Sequence, residues 1–141
     1  MSTLNVTTTT TDTLTGQSVS GSVAVTAEGG STTTNLQQGL TKAWGNYDYD
    51  GTQAFADSFN FSGITDGGTG IAALTYTNNM GNANYASITN NVLDTGSYAG
   101  TNMLDHDSTI STSVVSTRGQ HDVSSLTDIE LAGIDIKGDL A

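Results

Sequence analysis

Apolar residues are sparse in the first quarter of the chain and then arrive in alternating runs. Between Ser22 and Glu28, Val23 and Val25 fall on one side and Ser22, Ala24 and Thr26 on the other, the period-two pattern of a half-buried strand. The rest of residues 1–36 carries threonine runs at Thr7–Thr11 and Thr32–Thr34, with little beyond Leu4, Val6, Leu14 and Val19 to bury. This predicts an extended Thr-rich N-terminal arm that cannot build a core alone and whose strand completes a sheet elsewhere.

From residue 37 to 141 the texture changes. Gly39 to Tyr49 and Gln53 to Phe61 read as two strands joined at Asp50-Gly51, a dipeptide suited to a tight hairpin turn, with Phe55, Phe59 and Phe61 on one face. A Gly-rich turn at residues 65–70 leads to a strand over Ile71–Thr77, and another covers Ala83–Thr89. Asn90 to Ser108 is polar and reads as a long loop with a short strand near Tyr98. Strands resume at Thr109–Thr117 and Asp128–Lys137. In the last, Ile129 and Leu131 are out of phase with Ile134 and Ile136, which predicts a bulge at Gly133. Many short strands separated by Gly, Asn and Asp turns predict an all-β fold, an antiparallel β-sandwich or jelly-roll-like domain over residues 37–141.

Composition sharpens this picture. Only 35% of residues are apolar, below the roughly 45–50% of ordinary globular domains, so the core must be thin and association with other chains is expected to supplement it. Seventeen glycines and no proline place the turns on Gly, Asn and Asp. Three cations, Lys42, Arg118 and Lys137, face fourteen acids for a net charge of −11, which repels a phosphate backbone and argues against nucleic-acid binding. There is no cysteine, hence neither disulfide nor thiolate metal site. No apolar run approaches the roughly 20 residues of a membrane-spanning helix, and the N-terminus lacks the basic-then-apolar pattern of a secretion signal, so neither membrane insertion nor that signal is expected.

Several segments together resemble a family. Lys42-Ala43-Trp44, Asp50-Gly51-Thr52, Asp57-Ser58-Phe59-Asn60, residues 63–70 (Gly-Ile-Thr-Asp-Gly-Gly-Thr-Gly) and residues 80–85 (Met-Gly-Asn-Ala-Asn-Tyr) follow the order of the short fibre-like virion proteins common in marine phages. The opening residues 1–6 and closing residues 138–141 are also similar. The chain departs from that pattern at Gly81, where the family usually has proline, and in the additional aspartate of the first turn. The resemblance implies a phage virion structural protein on the outer surface of head or tail. It implies a homotrimer as well, with other virion proteins as partners.

Four sets of residues invite chemistry. Asn46, Asp48, Asp50 and Asp57 around Gly51 approach the spacing of a calcium loop. Asn46 nevertheless stands where an aspartate usually leads, Asp57 is too short for the closing bidentate glutamate, and no helices flank the segment. Asp105-His106-Asp107 and His121-Asp122 hold the only histidines, at a spacing that matches no single-chain zinc or iron site. Asp48, Asp50, Asp57, Asp105 and Asp107 are carboxylates of the kind that cleave glycosides, but no separation marks a pair, and there is no nucleophile elbow for a serine triad. A non-enzymatic protein without a cofactor other than calcium is therefore expected. Trp44, Tyr47, Tyr49, Tyr85 and Tyr98 offer rings for stacking on sugars, against a plainer reading in which Trp44 and Tyr85 belong to the core. The alternative function is a host-surface glycan-binding adhesin, with residues 90–108 as its tip.

Overall fold

The computed structural model describes residues 23–26, 30–92, 101–105, 107–121 and 125–141. It divides into two units, Met1–Gln37 and Gln38–Ala141.

In the first unit, β1 (Ala24–Thr26) pairs antiparallel with β2 (Thr33–Asn35). The expected strand around Val25 thus finds its partner in the second threonine run instead of in another sheet. Gly30, at φ 79°, allows the chain to reverse between them, a conformation that glycine adopts without steric cost. The pair ends where the Leu36 N–H donates to the Val23 carbonyl at 2.7 Å and Asn35 Oδ1 caps the Gln37 N–H of a single helical turn, α1 (Leu36–Gly39).

The second unit is an antiparallel β-sandwich. Its strands are β3 (Thr41–Asp48), β4 (Ala54–Phe59), β5 (Phe61–Asp66), β6 (Ile71–Tyr76), β7 (Ala86–Val92), β8 (Thr101–Leu104), β9 (Val114–Gln120) and β10 (Leu131–Lys137). One sheet has the order β4-β3-β10-β7, the other β5-β6-β9-β8. The hairpins β3–β4, β5–β6 and β8–β9 each stay within a sheet, so the connectivity is one of paired hairpins and not a jelly roll.

The β3–β4 hairpin closes at Gly51 (φ 63°), with Asp48 Oδ1 accepting the Asp50 N–H. The chain then changes sheet at Asn60. What reads as one strand from Gln53 to Phe61 is broken there, because Asn60 takes φ 60°, which asparagine tolerates better than other residues with a side chain. Its amide fixes the corner by donating to the carbonyls of Lys42 and Asn78 and accepting the Asn78 N–H at 2.7 Å. A bulge in β4 opposite Asn46 and Tyr47 reverses the phase of the preceding residues. Phe55 consequently packs on the core, Phe59 lies on the outer face at 52% exposed, and Phe61 enters the core from the other sheet. The three phenylalanines do not share one face.

Small and aliphatic residues, including Ala43, Ala72, Leu74, Val115, Ile129, Ala132, Ile134 and Ile136, line the interior. Their volume is modest, and aromatic rings supply the rest. Tyr49, Tyr47, Phe55, Phe61, Tyr76 and Tyr85 follow one another with ring centroids 5.4, 6.0, 5.5, 5.2 and 6.0 Å apart. These are the separations at which offset and edge-on rings attract. Gly45 makes room for the series: a Cβ there would sit 2.8 Å from the Phe55 ring.

Two corrections concern the second half of the chain. The polar stretch 90–108 is not wholly a loop: β7 extends into it and β8 pairs with β9. Tyr98, with the predicted short strand, lies outside the described residues. The reason for β8 is polar. Asn102 is buried and donates to Tyr47 Oη (3.1 Å) and to the Gly133 carbonyl (3.1 Å) while accepting from Tyr49 Oη (3.0 Å); both tyrosines also meet Thr117 Oγ1. In β10 there is no bulge at Gly133, since pairing with β3 is continuous from Ala132 to Ile136 and shifts only at Lys137. Ile129 is buried before the strand begins, and Ala132, Ile134 and Ile136 then carry the inward phase.

Burial drives the phenols of Tyr47, Tyr49 and Tyr76 well above their ordinary value of about 10; for Tyr49 the neighbouring Tyr47 adds to the shift, and for Tyr76 its neighbour Tyr85 does. Because the native state holds these protons more tightly than the unfolded chain, their contribution is complete below pH about 10 and is lost as pH rises beyond it. Unfolding free energy measured in urea should therefore be insensitive to these groups below pH about 10 and fall above it. The tyrosinate absorbance of Tyr47, Tyr49 and Tyr76 should appear only together with unfolding. Asn102→Ala removes one hydrogen-bond partner from each of two buried tyrosine hydroxyls and from the Gly133 carbonyl, leaving the hydroxyls to Thr117, and should cost about 2–3 kcal/mol by urea unfolding. A loss below about 0.5 kcal/mol would mean the network is not formed.

Candidate functional site

Strand alternation decides what the outer face of the β4-β3-β10-β7 sheet presents. One cross-strand row runs Phe59, Trp44, Asp135, Ile88, and the next runs Asp57, Asn46, Gly133, Asn90. Phe59 and Ile88 are 52% and 64% exposed, and Trp44 is half-buried between them. Over the centre of these rows lies a shallow basin of about 170 Å³, lined by Trp44, Asn46, Ile88, Asn90, Gly133 and Asp135.

Gly133 makes the basin what it is. A Cβ built on it would sit 1.9 Å from Asn90 Oδ1 and 3.1 Å from Asn46 Oδ1, so two side-chain amides converge over bare backbone. Beside them Asp135 takes Lys137 Nζ on Oδ2 at 2.8 Å, while its Oδ1 has no donor among the described residues. The basin thus combines amide donors and acceptors, a carboxylate and apolar flanks. Such a set can hold a small polyhydroxylated or amide-bearing molecule by hydrogen bonds and ring contact.

The residues nominated from sequence fall differently. Asn46 and Asp57 face each other across the β3–β4 ladder, whereas Asp48 and Asp50 stand at its turn. Asp57 Oδ1 accepts the N–H of Ser58. The segment is a β-hairpin, and among the described residues no three His, Cys, Asp or Glu side chains converge to hold a metal. Asp48 and Asp50 instead join Asp128, Glu130, Thr69 and Thr127 around a polar hollow of about 600 Å³ at one end of the sandwich. Asp128 Oδ1 is committed to the Gly70 N–H at 2.6 Å, where Gly70 adopts φ 68°.

Asp105 is 1% exposed and ion-paired with Arg118, which also bonds Asp107 at 3.0 Å. These contacts hold the guanidinium even more firmly charged than usual, the Asp107 hydrogen bond foremost. Asp105 is therefore a buried partner of Arg118 and not an accessible acid. His106 and Asp122 lie outside the described residues; His121 is described, and its N–H donates to the Ser125 carbonyl at 3.0 Å. The other two cations are also engaged, Lys137 by Asp135 and Lys42 Nζ by the Leu40 carbonyl at 3.0 Å. Burial lowers the affinity of Lys42 for its proton, and the nearby Asp139 partly offsets that.

Among the sugar-stacking candidates, Tyr47 and Tyr49 are core residues at 0% and 2% exposed, and Tyr85 packs against the core. Tyr98 lies outside the described residues, and Trp44, which the plainer reading put in the interior, lies on the outer sheet face. Its even-numbered neighbours Lys42, Asn46 and Asp48 carry polar groups, and that alternation was the available signal. Asn90, Gly133 and Asp135 escaped notice because cross-strand register, which no local pattern contains, assembles them. Comparison with protein-family models, curated proteins and solved structures finds no match to this chain.

The four acids of the end hollow repel one another at low ionic strength. Asp50→Asn or Glu130→Gln should raise stability by a few tenths of a kcal/mol in dilute buffer, a gain that disappears in high salt. Asp128→Ala removes the acceptor for Gly70 and should instead cost about 1–2 kcal/mol at any salt concentration.

Proposed function

We propose that this chain is a non-enzymatic structural protein of the outer surface of a bacteriophage virion, a compact homotrimeric appendage of head or tail anchored through residues 1–36. Support comes from where the family-like segments fall. In chain order they occupy β3, the β3–β4 turn, β4 with the Asn60 corner, β5 with its Gly-rich turn, and the connection from β6 to β7. These are the positions that set the course of half the sandwich.

Association is favoured by what the fold leaves uncovered. Leu40 and Leu140 are 51% and 43% exposed at the end of the sandwich where Gln38 bonds Asp139. A second copy or a neighbouring virion protein would bury this surface, adding to a core limited by composition. A second reading, host-surface glycan binding, is favoured by the basin beside Trp44.

Light scattering of the full chain at micromolar concentration should give a trimer, and a monomer would count against the appendage reading. Removing residues 1–30 should leave the sandwich folded by circular dichroism and abolish incorporation into particles. Unchanged incorporation would refute the anchoring role.

A further inference from the structure

We infer that the basin on the outer face of the β4-β3-β10-β7 sheet is a binding site for one pyranose ring of a neutral glycan. The site requires only the sandwich itself and is independent of membership in a virion.

Size comes first. About 170 Å³ is less than the roughly 300–1,000 Å³ of sites that enclose drug-sized ligands, and the basin is open to solvent along the sheet. That suits a ring within an extended chain, one residue lodged and its neighbours running on over Phe59 or Ile88. The chemistry comes next. Sugar hydroxyls donate and accept at once, and asparagine amides do the same; Asn46 and Asn90 have side chains with no internal hydrogen bond among the described residues. Both converge over Gly133, whose missing Cβ leaves room for the Asn90 amide, so that the two amides together form the floor on which a ring would rest. Asp135 borders the basin, with Oδ2 held by Lys137 and Oδ1 enclosed beneath the surface. Trp44 supplies an indole for the apolar C–H face of the ring, and Ile88 the opposite wall.

Charge selects the class of sugar. Asp57 stands on these rows, the chain carries −11 overall, and Asp135 and the nearby cation Lys137 cancel each other as an ion pair. Sialylated, sulfated or uronic-acid glycans would meet repulsion without a compensating cation. A neutral ring meets none.

Trp44 is the only tryptophan in the chain, so its emission reports on the site alone. The full chain is titrated with maltotriose, cellotriose, chitotriose and mannotriose, with sialyllactose as the charged comparison. A saturable change with at least one neutral trisaccharide is the expected result. Asn46→Ala and Asn90→Ala, both at exposed positions, should keep the wild-type circular dichroism and unfolding midpoint and weaken that binding about tenfold or more. No response to any neutral sugar, a response to sialyllactose alone, or undiminished binding in both folded variants would overturn the site.

Discussion

The interaction on which this fold depends is the meeting of Tyr47, Tyr49, Thr117 and Asn102 inside the sandwich. A chain with so few large aliphatic side chains cannot fill the space between two sheets with Leu, Ile and Val alone. Aromatic rings do much of that work, because each buries a large area for a small number of rotatable bonds. The phenols, however, carry hydroxyls into the interior, and an unmatched buried hydroxyl costs about 1–3 kcal/mol. Asn102 and Thr117 match them, and through Asn102 the network also binds β8 and the Gly133 carbonyl of β10. One polar cluster thereby ties strands of both sheets and turns aromatic filling from a liability into a source of register.

The outer face follows from the same arrangement. Once Tyr47, Gly45 and Ala43 point inward, Trp44 and Asn46 must point outward, and pairing with β4 and β10 sets Phe59, Asp57, Asp135 and Gly133 beside them. Register fixed in the core is thus register fixed on the surface, since a one-residue slip would send every side chain to the opposite face. The basin beside Trp44 is a consequence of interior packing carried through the sheet. Its Gly133 is bare because two asparagines cover it, and its carboxylate is tethered by Lys137.

Much of the fold was legible in the residues themselves. Asp50-Gly51 announced the hairpin, alternation in Ile71–Tyr76 announced β6, and the scarcity of helix formers announced an all-β class. The misreadings share a physical cause. Asn60 breaks a seemingly continuous strand because positive φ in a non-glycine residue leaves no mark in a hydrophobic pattern, and the β4 bulge that separates Phe55 from Phe59 is equally silent. Gly133 reads as a bulge when Ile129 and Leu131 are placed in one strand with the residues after it, whereas Ile129 is buried before β10 begins. The polar run after Asn90 looked like loop because a strand containing a buried asparagine has no apolar signature. As for the candidate site, Trp44, Asn46 and Asp57 were visible as residue types, but Asn90, Gly133 and Asp135 join them only through long-range pairing.

Native-state hydrogen–deuterium exchange of the isolated chain tests most directly whether the Tyr–Asn–Thr cluster holds the two sheets together. Slowest exchange in β3, β9 and β10, with β8 protected to a comparable degree despite its shortness and edge position, is the pattern this account requires. Rapid exchange throughout β8 while β3 and β10 remain protected would show that the buried asparagine does not bind the sheets, and would contradict it.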